Sequence, residues 1–435
     1  MKTLTLFEFD HVVSTAGATT SAHSVPPSVF EWLENQCCRT EGANRWLRLT
    51  SRGRQRSVQF TSYVGVIRAP CGFQIEILPK IGKADSRNQA QSHLLKMLKC
   101  LAGFSNIKTN DAELESARAP LLEVFIQQFL QAVDDVVKRG VRSDYVVRQD
   151  DLFALRGKLI MAQHLKNNLF RKDRFFTEHD EFIRDRAENR LIHSALRTVL
   201  SVTKTHQNQR LARELLFVFA EIPTSSNIAQ DFQRIRLDRG MSYYSSAMMW
   251  ARLILSAMSP VSTFGTQSVV SLLFPMERVF EAYVQKHLAK QLRDGFHLKP
   301  QPRTESLVGH KDQRWFKLKP DFLIKQRDNV CLVLDSKWKL LDSSKSNARE
   351  KYNLSQNDFY QLQAYGHHYL PSAGDLVLIY PKTESFREAL PVFSLSQSNN
   401  LRLWVLPFCL ENARLELPEE WMQASSVAGA LFKAQ

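Results

Sequence analysis

Cysteine is scarce in this chain: six residues in 435, at positions 37, 38, 71, 100, 331 and 409. None is spaced as C-x-x-C and none has a histidine pair nearby, which argues against a zinc site and against a disulfide framework. The histidines are equally dispersed, and the one adjacent pair, His367–His368, reads as a solvated helix end. No long uncharged apolar run exists. Ala247 to Met258 comes nearest, and Arg252 interrupts it, so no membrane span is expected. The first ten residues alternate like a strand, carry acids and lack a signal-peptide core, which leads to the expectation of a cytoplasmic protein. A G-x-x-x-x-G-K-[ST] phosphate loop is also missing, so the chain is not a nucleotide-driven motor of that class.

What is present is positive charge. The 58 Lys and Arg outnumber 44 Asp and Glu, for a formal net charge of +14. Such a surface replaces counterions around phosphates, and nucleic acid is the leading partner class. With 44% hydrophobic and 23% charged residues, the make-up is that of a soluble globular protein, long enough for about three domains.

The most informative stretch runs from Pro320 to Lys337. Phe322, Leu323 and Ile324 form a short apolar run, Gln326 to Asn329 are polar turn formers, and Val330 to Leu334 is a second apolar run. That pattern predicts a β-hairpin. Alternation across the strand puts Asp335 and Lys337 on one face and points Ser336 away, while antiparallel pairing brings Asp321 close to Asp335. Two carboxylates can hold Mg²⁺, and a neighbouring ammonium can orient or deprotonate water and steady developing charge. Pro-Asp before one strand and Asp-x-Lys ending the next resembles the PD-(D/E)xK nuclease superfamily.

Elsewhere the pattern divides the chain in three. Residues 1–85 read as a β-rich domain, with a hairpin around Pro70–Gly72 and a cationic turn carrying Arg52, Arg54 and Arg56. That turn is either a solvated tip or a probe for phosphates or an acidic partner. Residues 86–262 read as a mainly helical domain, with Gly140 as a helix C-cap and a basic turn at Leu155 to Leu159. Residues 263–435 hold the hairpin, a helix opening near Pro275, and further strands at Asp375 to Tyr380 and Leu401 to Leu406. Glu281 sits at the edge of that helix's apolar arc, as does Glu277. The segment Asp358 to Tyr365 predicts a helix with Asp358, Gln361 and Tyr365 on one face, where a glutamine can bond a carboxylate or phosphate. The expected fold class is α+β and multidomain.

Several stretches together resemble the McrC family, the nuclease subunit of modification-dependent restriction systems. They are Tyr63-Val-Gly-Val-Ile67, Ile75 to Ile81, Arg139-Gly140 with Tyr145, and Leu155-Arg-Gly-Lys-Leu159. To these add Asp180-Glu-Phe182 with Asp185 and Asn189-Arg190, Phe274-Pro-Met276 with Phe280-Glu281, Pro320-Asp321, and Asp335-Ser-Lys337. The resemblance implies a C-terminal α/β PD-(D/E)xK endonuclease core and a hexameric McrB-like AAA+ GTPase partner that binds GTP and modified DNA. The N-terminal part would insert into that ring through residues such as Arg52, Arg54 and Arg56. It further implies Asp321 and Asp335 as Mg²⁺ ligands, Lys337 as the water-orienting group, and Glu281 as a third or outer ligand. Gln361 completes the candidate catalytic set. No pocket for a flipped modified base is legible. A stand-alone repair or recombination nuclease and a non-catalytic activator of an AAA+ ring are the competing classes.

Overall fold

Alternating apolar and polar residues dominate the N-terminal part, and a computed structural model of the chain builds two four-stranded sheets with them. The structure describes residues 3–15, 23–39, 46–52, 55–83, 87–101, 120–257, 270–370, 373–395, 401–424 and 431–433. One sheet has the order His23–Val25, His11–Ser14, Gln55–Phe60, Leu47–Arg52. The other runs Thr3–Phe7, Gln74–Leu78, Tyr63–Arg68, Val270–Pro275, so a strand that the sequence reading did not anticipate, just before the helix near Pro275, pairs antiparallel with an N-terminal one. Gly65 permits that approach: at φ +132°, a Cβ there would lie 1.9 Å from the Leu272 carbonyl oxygen.

The β-rich reading of residues 1–85 missed one element. Pro27–Arg39 is a helix, and it buries Val29, Leu33 and Cys37, spaced four apart on one face. The Pro70–Gly72 hairpin is present as read, joining antiparallel strands. Of the cationic turn, the flanking strands pair up to Arg52 and Gln55. Gly53, Arg54 and the Arg52 side chain lie outside the described residues. Arg56 is largely exposed and stands 3.6 Å from Glu34 of the helix.

The middle part holds a small sheet beside its helices. Helices Leu121–Arg139, Ala187–Val202, His206–Val218 and Ser245–Ala257 are there, and Gly140 caps the first with φ 98°. Glu123 is buried among them. Burial alone would raise its pKa, but hydrogen bonds from Thr205, Thr203, Asn208 and the Lys204 N–H outweigh that and hold it below the ordinary carboxylate value. Between the first two helices, however, Asp144–Leu152, Phe175–Ile183 and Lys158–Leu159 form a three-stranded sheet around helix Met161–Asn168. Much of this small module faces out, with Tyr145, Phe153, Phe170 and Phe182 all more than half exposed. An exposed strand shows no inside–outside alternation, so its sequence pattern carries no strand signal.

The C-terminal sheet has the order Phe296–Pro300, Phe322–Gln326, Asn329–Ser336, Gly374–Pro381, Leu401–Cys409, Phe393–Ser394, and Arg414–Leu415 also pairs with Leu401–Cys409. The first three strands pair antiparallel, and Asn329–Ser336, Gly374–Pro381 and Leu401–Cys409 pair parallel. A parallel pair needs a crossover, and helix Gln356–Tyr369 supplies it. On the other face, helix Met276–Gln291 buries Val279, Phe280, Tyr283, Val284 and Leu288 against the sheet. Among the described residues no helix is long and apolar enough to cross a membrane.

Candidate active site

The predicted hairpin forms, and its register sets the site. Phe322 pairs with Leu334, so one step further the chain brings Asp321 opposite Asp335 at the rim of the sheet. The neighbouring parallel strand fixes the exit, where the Lys337 N–H donates to the Ile379 carbonyl at 2.9 Å. The alternation expected for Ser336 does not hold. Its N–H and its hydroxyl both donate to Asp321 Oδ2 at 2.7 Å, because the strand ends there and the chain turns.

Asp335 is 1% exposed. Burial pushes its pKa up to about 7, the Asp321 charge adds to the rise, and Lys337 offsets part of it. The Lys337 ammonium ion-pairs with Asp335 Oδ2, an atom that receives no aligned hydrogen bond. Burial disfavours the ammonium, but Asp335, Asp321 and Asp358 outweigh it and leave Lys337 above its ordinary pKa. Lys337 therefore carries its charge at neutral pH.

Helix Gln356–Tyr369 then orients that charge. Lys337 Nζ donates to Gln361 Oε1 at 3.1 Å, and Gln361 Nε2 reaches Tyr365 Oη at 2.6 Å. Tyr365 Oη donates in turn to the Lys319 carbonyl at 2.9 Å, two residues before Asp321. Burial pushes the phenol up to about 12, so it remains a donor. Asp358, on the same helical face, stays out of this chain. It accepts from Lys339 at 2.7 Å and from Tyr380 at 3.1 Å, bracing the helix against the sheet.

Glu281 stands beside the pair. Its Oε1 accepts from Gln301 Nε2 at 2.6 Å. Burial and the Asp321 charge raise its pKa, which places it within electrostatic reach of the rim. Among the described residues, no three His, Cys, Asp or Glu converge as a ready-made metal cage. The donor set nonetheless suits Mg²⁺. Asp321 and Asp335 bring excess negative charge into a poorly solvated rim, and Mg²⁺ is commonly held by one or two carboxylates, with waters and substrate phosphates completing its shell. Glu277 is exposed, and its charge acts on Glu8, Lys80 and Tyr63.

Next to Glu281 opens a cleft of about 710 Å³, whose walls include Arg278, Lys286, Lys319 and Gln301. Three cations along a cleft that Glu281 also lines make a path suited to a phosphate backbone.

The sequence reading passed over Trp338, Glu8 and Lys80. Trp338 directly follows the Asp-x-Lys motif, is 3% exposed, and donates its indole N–H to both Glu8 oxygens at 3.1 and 2.9 Å. The sole sequence signal was an acid in the strand-like alternation of the first residues.

The family described as McrBC 5-methylcytosine restriction system component matches residues 58–381. No curated protein matches. A chain of the refined half-complex from the tetradecameric assembly of Thermococcus gammatolerans McrB AAA+ hexamers with bound McrC is similar in structure. The TM-score is 0.67 at 19% identity, over 94% of this chain and 95% of that one. A chain of the cryo-EM structure of the Thermococcus gammatolerans McrBC complex aligns with a TM-score of 0.49 and 20% identity, over 66% and 87%.

Proposed function

The chain belongs to the McrBC 5-methylcytosine restriction system component family, and on that premise we propose that it is the DNA-cutting subunit of a GTP-dependent restriction complex. It acts in the cytoplasm on methylated double-stranded DNA, through a PD-(D/E)xK core within residues 263–435. The observation that carries this reading is the convergence of Asp321, Asp335, Lys337 and Gln361 at one rim, beside a cationic cleft.

In this mechanism Asp321 and Asp335 would hold Mg²⁺, with Glu281 a third or outer ligand, and the ion would supply Lewis-acid polarisation of a phosphodiester and acidification of a bound water. Lys337 was open to two roles on sequence, orienting water or deprotonating it. The ion pair with Asp335 and the hydrogen bond to Gln361 present the ammonium as a donor, which favours the first. Lys337 holds the water by donating to it and stabilises charge developing on the phosphate. Gln361 aims the ammonium, and Tyr365 fixes the amide so that its oxygen faces Lys337. Arg278, Lys286 and Lys319 seat the DNA backbone.

The partner in this reading is a McrB-like hexameric AAA+ GTPase, as in the Thermococcus gammatolerans assembly with bound McrC. It binds GTP, while residues 1–85 of this chain contact the ring through Arg52, Arg54 and Arg56 and stimulate hydrolysis. Residues 86–262 join the two ends. The test is cleavage of methylated plasmid with Mg²⁺, GTP and the AAA+ partner, wild type beside Asp335→Ala. The expected outcome is loss of cutting with GTPase stimulation retained. Undiminished cutting by the variant would refute the assignment.

A further inference from the structure

Both ends of Trp338 are gripped from the N-terminal sheets. Its indole N–H is shared by the two Glu8 oxygens, and its backbone carbonyl accepts from Lys80 Nζ at 2.8 Å. Lys80 closes the set with its own N–H, which donates to Glu8 Oε2 at 2.9 Å, and its ammonium lies 5.0 Å from the Phe9 ring centre. The Trp338 ring also packs on Phe280, 5.3 Å between centroids, and Phe280 immediately precedes Glu281. One side chain thus touches the N-terminal sheet, the helix bearing Glu281 and the exit of the strand bearing Asp335. The neighbouring Lys337 is held from the other side by Ile379.

A structural role alone would not call for this chemistry. Apolar side chains could pack this junction without buried charge, whereas a carboxylate and an ammonium are costly to bury. Glu8 is 0% exposed, and burial pushes its pKa up to about 7 despite Lys80. What directional polar groups add over packing is a fixed backbone orientation, here at the residue that follows the reactive lysine.

On the nuclease reading above, we propose that Glu8 and Lys80 are positioning residues for Lys337, acting through Trp338, so that the N-terminal sheet sets the geometry of the cutting rim. Releasing the grip frees the turn at residues 337–338 and lets the ammonium drift from Asp335 and Gln361. A misplacement on the order of 1 Å costs roughly a hundredfold in rate.

The test uses the complex with its AAA+ partner, GTP, Mg²⁺ and methylated plasmid, and compares kcat, KM for DNA and the thermal midpoint. Lys80→Met is expected to lower kcat by about tenfold to a hundredfold with KM unchanged, and Lys80→Arg to restore most of the rate. Should Lys80→Met fail to fold, Trp338→Phe removes the N–H together with part of the buried ring; it is expected to give the same selective loss of kcat, with the lost packing read separately from the thermal midpoint. Asp335→Asn run in parallel separates the two levels. If it is inactive while Lys80→Met and Trp338→Phe cut within about twofold of wild type, the positioning role is overturned and the nuclease reading stands. If Asp335→Asn itself cuts normally, both fall.

Discussion

Asparagine at position 335 is expected to stabilise the metal-free protein while ending cleavage. The Asp335 pKa rises from 3.8 to about 7 on folding, because the carboxylate is buried beside Asp321. At about 1.4 kcal/mol per unit, keeping it ionised costs up to roughly 4 kcal/mol. The attraction to Lys337 is already contained in that shift, so the expected gain is on the order of a few kcal/mol, seen as a higher Tm. The sign follows from proton counts. Between pH 3.8 and about 7 the folded wild type keeps a proton that the unfolded chain has released, so wild-type stability falls as pH rises through that window. The advantage of Asp335→Asn is therefore largest above about pH 7 and fades toward acid. Thermal unfolding at about pH 8 and about pH 6, with and without millimolar Mg²⁺, measures it. Mg²⁺ should raise the wild-type midpoint and leave the variant unmoved. A variant that melts below wild type at the higher pH without metal would refute the view of Asp335 as a strained carboxylate.

Three further outcomes can be measured separately. Replacing Arg278 and Lys286 in the cleft by glutamate should weaken DNA binding at every sequence and lower the salt slope by about 1 for each phosphate no longer neutralised, in a fluorescence titration against ionic strength. Asp375→Ala should destabilise the C-terminal sheet by about 3–5 kcal/mol in urea unfolding. That carboxylate is 5% exposed and accepts from Arg402 at 2.8 and 3.0 Å and from the Trp404 and Trp421 indoles at 3.0 Å, and the substitution removes this shared acceptor. Gly65→Ala should lower the unfolding midpoint, because its methyl would meet the Leu272 carbonyl oxygen at 1.9 Å in a backbone region unfavourable to side chains. Wild-type stability in that variant would mean that the Tyr63–Arg68 and Val270–Pro275 strands do not pair as described.

Local pattern by itself determined the hairpin at Phe322–Gln326 and Asn329–Ser336, the helix opening near Pro275, the Gln361 helix and the buried strands after it. The strands are written as short continuous apolar runs and the helices as a period of about 3.6, and a turn or proline marks where they start. The same local reading put Asp321, Asp335 and Lys337 at one rim, because a hairpin's register follows from its two strands and the turn between them. Only the tertiary structure decided the rest. In the three-stranded sheet Asp144–Leu152 is exposed along most of its length and Phe175–Ile183 buries the polar Thr177 and His179, so neither carries an apolar alternation to read. Asp358 and Gln361 share a helical face in the sequence, yet Lys339 and Tyr380 claim one while Lys337 claims the other. The grip of Glu8 on Trp338 spans 330 residues and is invisible to any local period. Periodicity records which way a side chain faces. Which distant group meets it there depends on how the sheets and helices close on one another, and that information resides in the packed shape rather than in any short stretch of chain.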